Sequence, residues 1–429
     1  MPLINIEIPA EDGWRDDVAS RVLFAAVGIV TLILGLRLWA AVEPEGVVAA
    51  IPTFLTFAVA IQLFVFMIAD IELRDHGRTI GYAVLATFAF IAAVLMWQSS
   101  PDEFPVRLGT DALAFTVYGT NLALEGINPM TISMAPALDL PGATETATYH
   151  VDGSLVDDWS YPGGLVWVFA PQFVTIGHGP VGGRLTTVIA AVGLGVSMLR
   201  ALPPIYAPAA LLAIAAPRNI FATAVGGLID VFWVLPTVVA LLLWYQDRSV
   251  LSAGVLGVAC AMKQQPTFIV PFLAIWLWHE RDSLTEFARL GSACAAVGGG
   301  AFLALNLPFI ISDPAAWVTS VFTPLGGSDA PLESVGVGLA AFKSAGLDLP
   351  RWLFRLCTAV MGVGAFAAYW RWFEQLRWAA WIAPAIILFF APRSLPSYVN
   401  TVVPLVMLAL FAVHGRLAVP RRRSSEVTT

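Results

Sequence analysis

The chain has 429 residues, of which 58% are hydrophobic and 12% are charged, and its mean hydropathy is +0.78. This composition excludes a soluble globular domain, and apolar runs long enough to cross a bilayer core of about 30 Å recur throughout. The net charge of −7 gives no indication of a nucleic-acid partner. Cys260, Cys294 and Cys357 lie in apolar segments and are too few for a disulfide framework or a thiolate metal site.

The apolar runs predict an all-α, polytopic integral membrane protein with about twelve transmembrane helices. These helices are expected at about 21–41, 47–69, 79–98, 181–199, 203–216, 221–245, 249–262, 266–279, 288–311, 351–370, 378–391 and 397–415. Four are short, 203–216, 249–262, 266–279 and 378–391, and are expected to be tilted, broken or re-entrant. No apolar stretch precedes Arg21, so the first helix is expected to act as the insertion signal, without a cleavable signal peptide.

Charge orients the predicted bundle. With the N-terminus inside, fourteen of the 23 Lys and Arg residues fall in cytoplasmic segments, as the positive-inside bias requires. The longest hydrophilic loop, at about 99–180, carries nine acids and one base, Arg107, and is expected outside. The predicted segments are a cytoplasmic tail at 1–20, three transmembrane helices in 21–98, an external loop with amphipathic helices at 99–180, central transmembrane helices in 181–311, a second external loop at 312–350, the last three transmembrane helices in 351–415 and a basic cytoplasmic tail at 416–429.

The first external loop opens with a short helical pattern that carries a carboxylate. Asp111 and Tyr118 are seven residues apart and share one helical face, and Gly126-Ile127-Asn128-Pro129 is predicted to end that helix. A carboxylate at the rim of a membrane bundle is costly unless it is hydrated, paired or used. Asp111 is therefore a candidate functional residue. The alternative is a simple helix cap, because Gly-Thr-Asp before an apolar helix is an N-terminus signal.

Later in this loop, two pairs of interpretations stay open. Asp157 and Asp158 are either a solvated pair or weak candidates for binding a hard divalent ion. The aromatic side chains of the return segment are either membrane-interface residues or platforms for a sugar: Trp159, Tyr161 and Trp167. A surface-lying helix and a turn are expected at the start of the second external loop.

A polar break interrupts the apolar run from Val250 to Trp278. An ammonium and two amides lie there, in Lys263-Gln264-Gln265-Pro266. Pro266 favours a break in the helix, which frees backbone groups from helical hydrogen bonds. Lys263 is either a snorkelling side chain or part of an anion-binding turn, in which Arg218 and Arg393 would help to grip phosphate oxygens. Asp230, apparently inside a predicted helix, could pair with one of these bases, or the helix could begin later.

The predicted topology places the polar residues near the outer ends of the helices on one face of the membrane. They are Asp111, Asp157, Asp158, Arg218, Asn219, Lys263, Gln264, Gln265, Arg393 and Tyr398. Such a distribution indicates a site at the membrane–water boundary rather than a path through the middle of the bundle.

These pieces, in this order, resemble the GT-C class of membrane glycosyltransferases. The greatest similarity is to the polyprenyl-phosphate-mannose-dependent α-mannosyltransferase type (glycosyltransferase family 87) and related membrane proteins. The resemblance covers about residues 105–405, and the first two helices look like an addition to the usual core. It rests on Asp111, Tyr118, the Gly-x-Asn-Pro turn, Tyr161-Pro162-Gly163 and the Lys263 break.

The resemblance implies a role for each matching residue. Asp111 would be the catalytic base, while Tyr161-Pro162-Gly163 would line the same cavity as the Lys-x-x-Pro break. Lys263, Arg218, Arg393, Gln264, Tyr118 and Tyr161 are the candidates for substrate and phosphate binding. Two features depart from the family pattern: Met130 replaces an aromatic residue that often follows Asn-Pro, and Asp157-Asp158 has no fixed counterpart.

The resemblance implies transfer of a sugar (mannose or another hexose or pentose) from a polyprenyl-phosphate-linked donor to a lipid, glycan or protein acceptor. The reaction would invert the anomeric carbon and take place on the extracytoplasmic face of the plasma membrane, among membrane lipids. No cofactor is certain, and a divalent metal is possible. The alternatives are a transporter or lipid-linked-sugar flippase without covalent chemistry, and a membrane scaffold for another glycan enzyme.

Overall fold

The computed structural model describes residues 12–41, 47–68, 73–98, 110–139, 143, 147–150, 152–175, 180–215, 227, 229–326, 333–334, 336 and 349–419. Almost all of its regular secondary structure is helical, which confirms the all-α class. The α-helices of the described residues are α1 Asp12–Ala41, α2 Val47–Ile68, α3 Leu73–Gln98, α4 Asp111–Leu124, α5 Gly164–Thr175, α6 Pro180–Ala201, α7 Ala207–Ala215, α8 Val231–Tyr245, α9 Ser249–Met262, α10 Val270–His279, α11 Leu284–Ser312, α12 Pro314–Gly326, α13 Arg351–Arg371, α14 Phe373–Leu376, α15 Ala383–Leu388, α16 Pro396–Asn400 and α17 Val403–Val413.

Short elements complete the described fold. The strands β1, Glu333–Ser334, and β2, Arg393–Ser394, pair in parallel. The 3₁₀ turns are Pro129–Thr131, Ala135–Asp139, Pro204–Tyr206, Gln265–Ile269 and Arg377–Ile382. Each of the last three turns overlaps the start of one of the short predicted transmembrane helices, so 203–216, 266–279 and 378–391 are each part 3₁₀ turn and part α-helix, whereas 249–262 is the continuous helix α9.

Fewer helices than predicted are long enough to cross a membrane alone. In the described residues, five stretches have the length and apolar composition for this: Val18–Leu36, His76–Val94, Gly182–Ala201, Leu284–Ser312 and Arg351–Arg371. The expected count of about twelve is therefore not confirmed. The described residues also contain shorter apolar helical stretches of 10 to 17 residues.

The core lies where α6, α8 and α17 contact one another. These helices contribute Leu194, Trp233 and Leu408, each at most 1% exposed. The peripheral helices are different, since Ile311 of α11 and Val363 of α13 are both 71% exposed. Helices that present apolar side chains outward in this way are stable in lipid rather than in water. The arrangement indicates a membrane protein with a packed centre.

The helix that carries Asp111 ends as its sequence predicts. Gly126 adopts a left-handed conformation, with φ of 81°, and the Ile127 backbone N–H donates to the Leu122 carbonyl oxygen at 2.8 Å. This is a common helix end, in which a glycine avoids the strain that a side chain would add. Asn128 then caps the following 3₁₀ turn, because its Oδ1 accepts a hydrogen bond from the Met130 backbone N–H at 3.0 Å. The predicted amphipathic helix is mostly buried, since eight of its residues are packed inside the protein.

Candidate active site

A cavity of about 500 Å³ gathers side chains from widely separated segments. Its walls come from the start of α4, the segment before α5, the start of α8, the break after α9, helix α12 and the β2–α16 region. The predicted site residues that line it are Asp111, Tyr161, Lys263, Gln264 and Arg393. The structure therefore brings five of the seven candidate catalytic and binding residues to one place.

Asp111 is the first residue of α4 and is not its cap. Thr110 is the N-cap, because its Oγ1 accepts a hydrogen bond from the Leu113 backbone N–H at 3.1 Å. The Asp111 carboxylate accepts two other hydrogen bonds, from the Ala112 backbone N–H to Oδ1 at 2.7 Å and from the Thr148 hydroxyl to Oδ2 at 2.5 Å. The helix-cap interpretation thus belongs to Thr110. Asp111 is only partly buried and faces the cavity with a carboxylate that the positive end of α4 favours.

Thr148 connects Asp111 to Arg393. The hydroxyl that donates to Asp111 accepts a hydrogen bond from Arg393 Nη2 at 3.3 Å. Arg393 itself lies on β2, where the backbone pairs with Glu333 of β1, in the segment predicted to be the second external loop. A guanidinium has five N–H groups, so the bond to Thr148 leaves donors for an anionic ligand. We call Asp111, Thr148 and Arg393 the Asp111 cluster.

Lys263 lies where the backbone leaves α9. Its φ of −153° and ψ of 157° are extended, which ends the helix before Pro266 begins the next turn. The Lys263 ammonium forms a salt bridge with the Asp230 carboxylate, and the two side chains are 8% and 2% exposed. The Trp233 indole N–H also donates to Asp230 Oδ1, at 3.2 Å. Asp230 is the N-cap residue of α8, so it lies at a helix end and pairs with Lys263.

Two tyrosine rings flank this ion pair. Lys263 Nζ is 5.2 Å from the ring centroid of Tyr398 and 5.8 Å from that of Tyr161, within the range of a cation–π interaction. We call Lys263, Asp230 and Tyr398 the Lys263 cluster. Tyr161 is close enough to both clusters to interact electrostatically with Asp111 and Asp230. Burial, reinforced by these carboxylates, raises the pKa of Tyr161 well above its ordinary value, so its side chain stays a neutral phenol.

A close backbone approach fixes the segment that carries Tyr161. A Cβ atom on Gly164 would lie 2.4 Å from the Ala261 carbonyl oxygen, so a glycine is needed for the start of α5 to reach the end of α9. The Gly163 backbone N–H donates to Asn306 Oδ1 at 2.8 Å. Asn306 of α11 is fully buried, and the same oxygen accepts a hydrogen bond from the Trp317 indole of α12 at 3.0 Å. One amide of α11 therefore binds both the segment before α5 and α12, and no motif in the sequence indicated it.

Gln264 connects two of the segments that form the cavity. Its Nε2 donates to the Ser160 carbonyl oxygen at 2.9 Å and to the Val321 carbonyl oxygen at 3.1 Å, which joins the segment before α5 to α12. The aromatic residues of the return segment divide between two roles. Trp159 and Tyr161 line the cavity, whereas Trp167 is 41% exposed and donates to the Leu305 carbonyl oxygen.

Tyr118 and Asp157 lie outside the cavity lining. Tyr118 does not line the described cavity and packs, partly buried, against a small apolar cluster. It lies two helical turns from Asp111, about 10 Å along the axis, although both share a face. Asp157 is also outside the cavity lining and accepts a hydrogen bond from Ser133, while Asp158 lines the cavity. Arg218 falls outside the described residues.

The acidic residues do not form a metal site in the described part of the chain. No three His, Cys, Asp or Glu side chains come together there in a group that could hold an ion. Asp157 and Asp158, the weak candidates for a divalent metal, differ in whether they reach the cavity. The donor set that is present suits an anion better, because the cavity has an ammonium and a guanidinium among its lining groups.

The cavity combines carboxylates with cations in a helical protein whose peripheral helices present apolar side chains outward. The sequence matches the family model described as glycosyltransferase family 87 over residues 159–397, more than half of the chain. The chain belongs to this family, and it is a glycosyltransferase. No curated protein and no solved structure matches it. Membership of the family favours an enzyme over the transporter, flippase and scaffold alternatives.

The family match does not cover every site residue. It includes Tyr161, Lys263, Gln264 and Arg393, but it begins after Asp111. The expected resemblance over about 105–405 is therefore matched in its later part. The proposed role of Asp111 depends on its position in the cavity beside these residues.

Proposed function

We propose that this glycosyltransferase moves one sugar from a polyprenyl-phosphate-linked donor to a hydroxyl group of a lipid, glycan or protein acceptor. The observation that carries the proposal is that Asp111 shares a single cavity with Lys263 and Arg393. A carboxylate can take a proton from an acceptor hydroxyl, and the two cations can bind the phosphate of the donor. Family membership supports the sugar-transfer chemistry, and the chemistry of the cavity supports the phosphate.

In the proposed reaction, the acceptor oxygen attacks the anomeric carbon while the bond from that carbon to the phosphate oxygen breaks. The phosphate oxygen leaves with the bonding electron pair, and Asp111 receives the proton of the acceptor hydroxyl. A single displacement of this kind inverts the anomeric carbon. Phosphate is already a good leaving group, so no general acid is required. Lys263 and Arg393 would stabilise the negative charge that develops on it.

We further propose that the cavity opens on the extracytoplasmic face of the plasma membrane. The acidic segment that contains Asp152, Asp157 and Asp158 lies beside it, whereas Arg281 and Arg289 flank the start of α11, at the opposite end of that helix from Asn306. Membrane proteins retain arginine mainly on the cytoplasmic side.

A labelling experiment tests this orientation. A cysteine introduced at the exposed Ser154 should react with an impermeant thiol reagent in intact cells, while one at the exposed Asp282 should react only after lysis. The unsubstituted protein controls for Cys260, Cys294 and Cys357. The reverse pattern would place the site on the cytoplasmic side.

The catalytic proposal is tested with Asp111→Asn in purified, reconstituted protein. The asparagine keeps the shape of the side chain but is not a base, so transfer of labelled sugar from a polyprenyl-phosphate donor should fall by about 10²-fold or more. Asp157→Asn is the matched control, because it removes a neighbouring carboxylate that does not line the cavity. Its transfer rate should stay close to that of the wild type.

Two outcomes would contradict the proposal. A folded Asp111→Asn protein with near-normal transfer would remove Asp111 from the mechanism. Movement of the labelled lipid-linked sugar across the bilayer, without a new glycosidic bond, would establish transport instead of this reaction.

A further inference from the structure

The salt bridge between Asp230 and Lys263 is a buried ionic contact of the cavity. Both side chains are more than nine-tenths buried, and both residues line the cavity. Asp230 belongs to the start of α8, and Lys263 to the end of α9, so the contact joins the ends of two neighbouring helices. Asp230 is further held by the Trp233 indole N–H of its own helix.

The chemistry of an ammonium explains why such a partner matters. An isolated charge at this depth is strongly disfavoured, and a lysine without a counter-ion would be driven toward its neutral form. Asp230 compensates the charge and uses one of the three N–H groups of Lys263. Two N–H groups remain for a ligand. The rings of Tyr161 and Tyr398 attract the ammonium without using a hydrogen-bond donor, since they act through their π faces.

We infer that Asp230 is a positioning residue: it holds the Lys263 ammonium in place and directs its remaining donors toward the phosphate of the donor substrate. This inference rests on the proposed function, in which Lys263 stabilises the departing phosphate. Asp230 is not the base in this scheme, because that role is assigned to Asp111 and the Asp230 carboxylate is in direct contact with the Lys263 ammonium. Its effect on the reaction passes through Lys263.

Replacing Asp230 should affect kcat and the KM for the donor differently. Lys263 matters most when negative charge develops on the leaving oxygen, so Asp230→Asn should lower kcat and change the KM for the donor much less. We expect kcat to fall by about 10-fold to 100-fold, less than the roughly 10²- to 10³-fold typical of removing a transition-state donor itself. Asp230→Glu, which restores a carboxylate, should recover part of the loss. Trp233→Phe should cause a smaller loss in the same direction.

A double-mutant cycle distinguishes positioning from an independent role. In the Lys263→Met background, adding Asp230→Asn should cause no further loss of kcat, because the group through which Asp230 acts is already absent. The double variant should also yield more folded protein than either single variant, since neither partner is left charged and alone. Purified proteins are compared by size-exclusion chromatography and by transfer of labelled sugar from the polyprenyl-phosphate donor. Asp313→Asn, outside the cavity lining, is the control for removal of a carboxylate.

Each outcome is informative. Wild-type kcat in folded Asp230→Asn would overturn the inference, and so would losses that multiply in the double variant. Transfer that is sensitive to Lys263→Met but not to Asp230→Asn would contradict only the role of Asp230. A wild-type protein that transfers no sugar from such a donor would overturn the proposed function, and this inference with it.

Discussion

The Asp111 cluster and the Lys263 cluster share one cavity but are built by different physical means. Asp111 is partly exposed, and a neutral hydroxyl, that of Thr148, holds it and links it to Arg393. Lys263 is buried, and a carboxylate of opposite charge holds it. In the first cluster, a threonine separates the carboxylate from the cation. In the second cluster, the carboxylate and the cation are in direct contact.

This difference matches the tasks that we propose for the two clusters. A general base must accept a proton and release it, so a direct salt bridge, which favours the ionised form, would oppose each cycle. A hydroxyl can orient the carboxylate without that opposition. A phosphate-binding cation does not change its charge during the reaction. A permanent counter-ion can therefore hold it in place without opposing a step of the reaction. The structure therefore separates a group that would react from a group that would stay fixed.

Among the tests of this comparison, we expect the largest effect from replacing Lys263. Lys263→Met leaves the Asp230 carboxylate buried without its partner, and breaking such a pair costs about 3–5 kcal/mol of stability. Asp111→Asn should change stability by less than about 1.5 kcal/mol, because its partners are a hydroxyl and a backbone N–H. Thermal denaturation of both variants in the same detergent measures the difference. Equal destabilisation would show that the two clusters do not differ in this respect.

A smaller effect is expected from Thr148, which belongs only to the Asp111 cluster. Thr148→Val keeps the shape of the side chain but removes the hydroxyl that joins Asp111 to Arg393. One hydrogen bond to a charged group contributes about 1.5–3 kcal/mol at most, so transfer should fall by about tenfold. Thr148→Ser retains the hydroxyl and is the control, with a rate near that of the wild type. A Thr148→Val rate equal to that of Thr148→Ser would contradict the link.

The smallest effect should come from Tyr161, which interacts with both clusters. Tyr161→Phe keeps the ring beside Lys263 and removes only the hydroxyl, so we expect a loss of about threefold, equivalent to a weak hydrogen bond. Because burial raises the pKa of Tyr161, the neutral phenol persists as the pH increases. Wild type and Tyr161→Phe should therefore show the same pH dependence of transfer between about pH 6 and pH 9. If sugar transfer by the wild type declined with rising pH within this range, while transfer by Tyr161→Phe did not, a neutral Tyr161 would be contradicted.

Local signals in the sequence predict much of the helical framework. The prediction of 249–262 coincides with α9 because Arg248 precedes that apolar run and the Lys263 break follows it. The number of membrane-crossing helices is less predictable. Hydropathy does not show that the start of the run 378–391 belongs to a 3₁₀ turn, Arg377–Ile382, which shortens the helix that follows.

The site is predictable where charge and topology suffice, and less so where it depends on distant contacts. Asp111 and Lys263 are charged residues at helix ends, and Arg393 follows a predicted helix, so the predicted topology is enough to assign them to one face. Thr148 and Asn306 have no such signal, since their roles arise from contacts with residues 37 and 143 positions away. Periodicity alone was misleading for Tyr118, because a shared helical face does not bring residues two turns apart into one cavity.

The pairing of β1 with β2 makes the geometry of Arg393 depend on main-chain atoms. Backbone hydrogen bonds do not discriminate among most side chains, so changes of residue type at Glu333 and Ser334 would leave the pairing intact, proline excepted. The number of residues between α12 and β1 is different, because it decides which backbone groups can meet β2. Insertions and deletions there, rather than substitutions, are the changes through which this enzyme could shift its guanidinium and accommodate a substrate of another size.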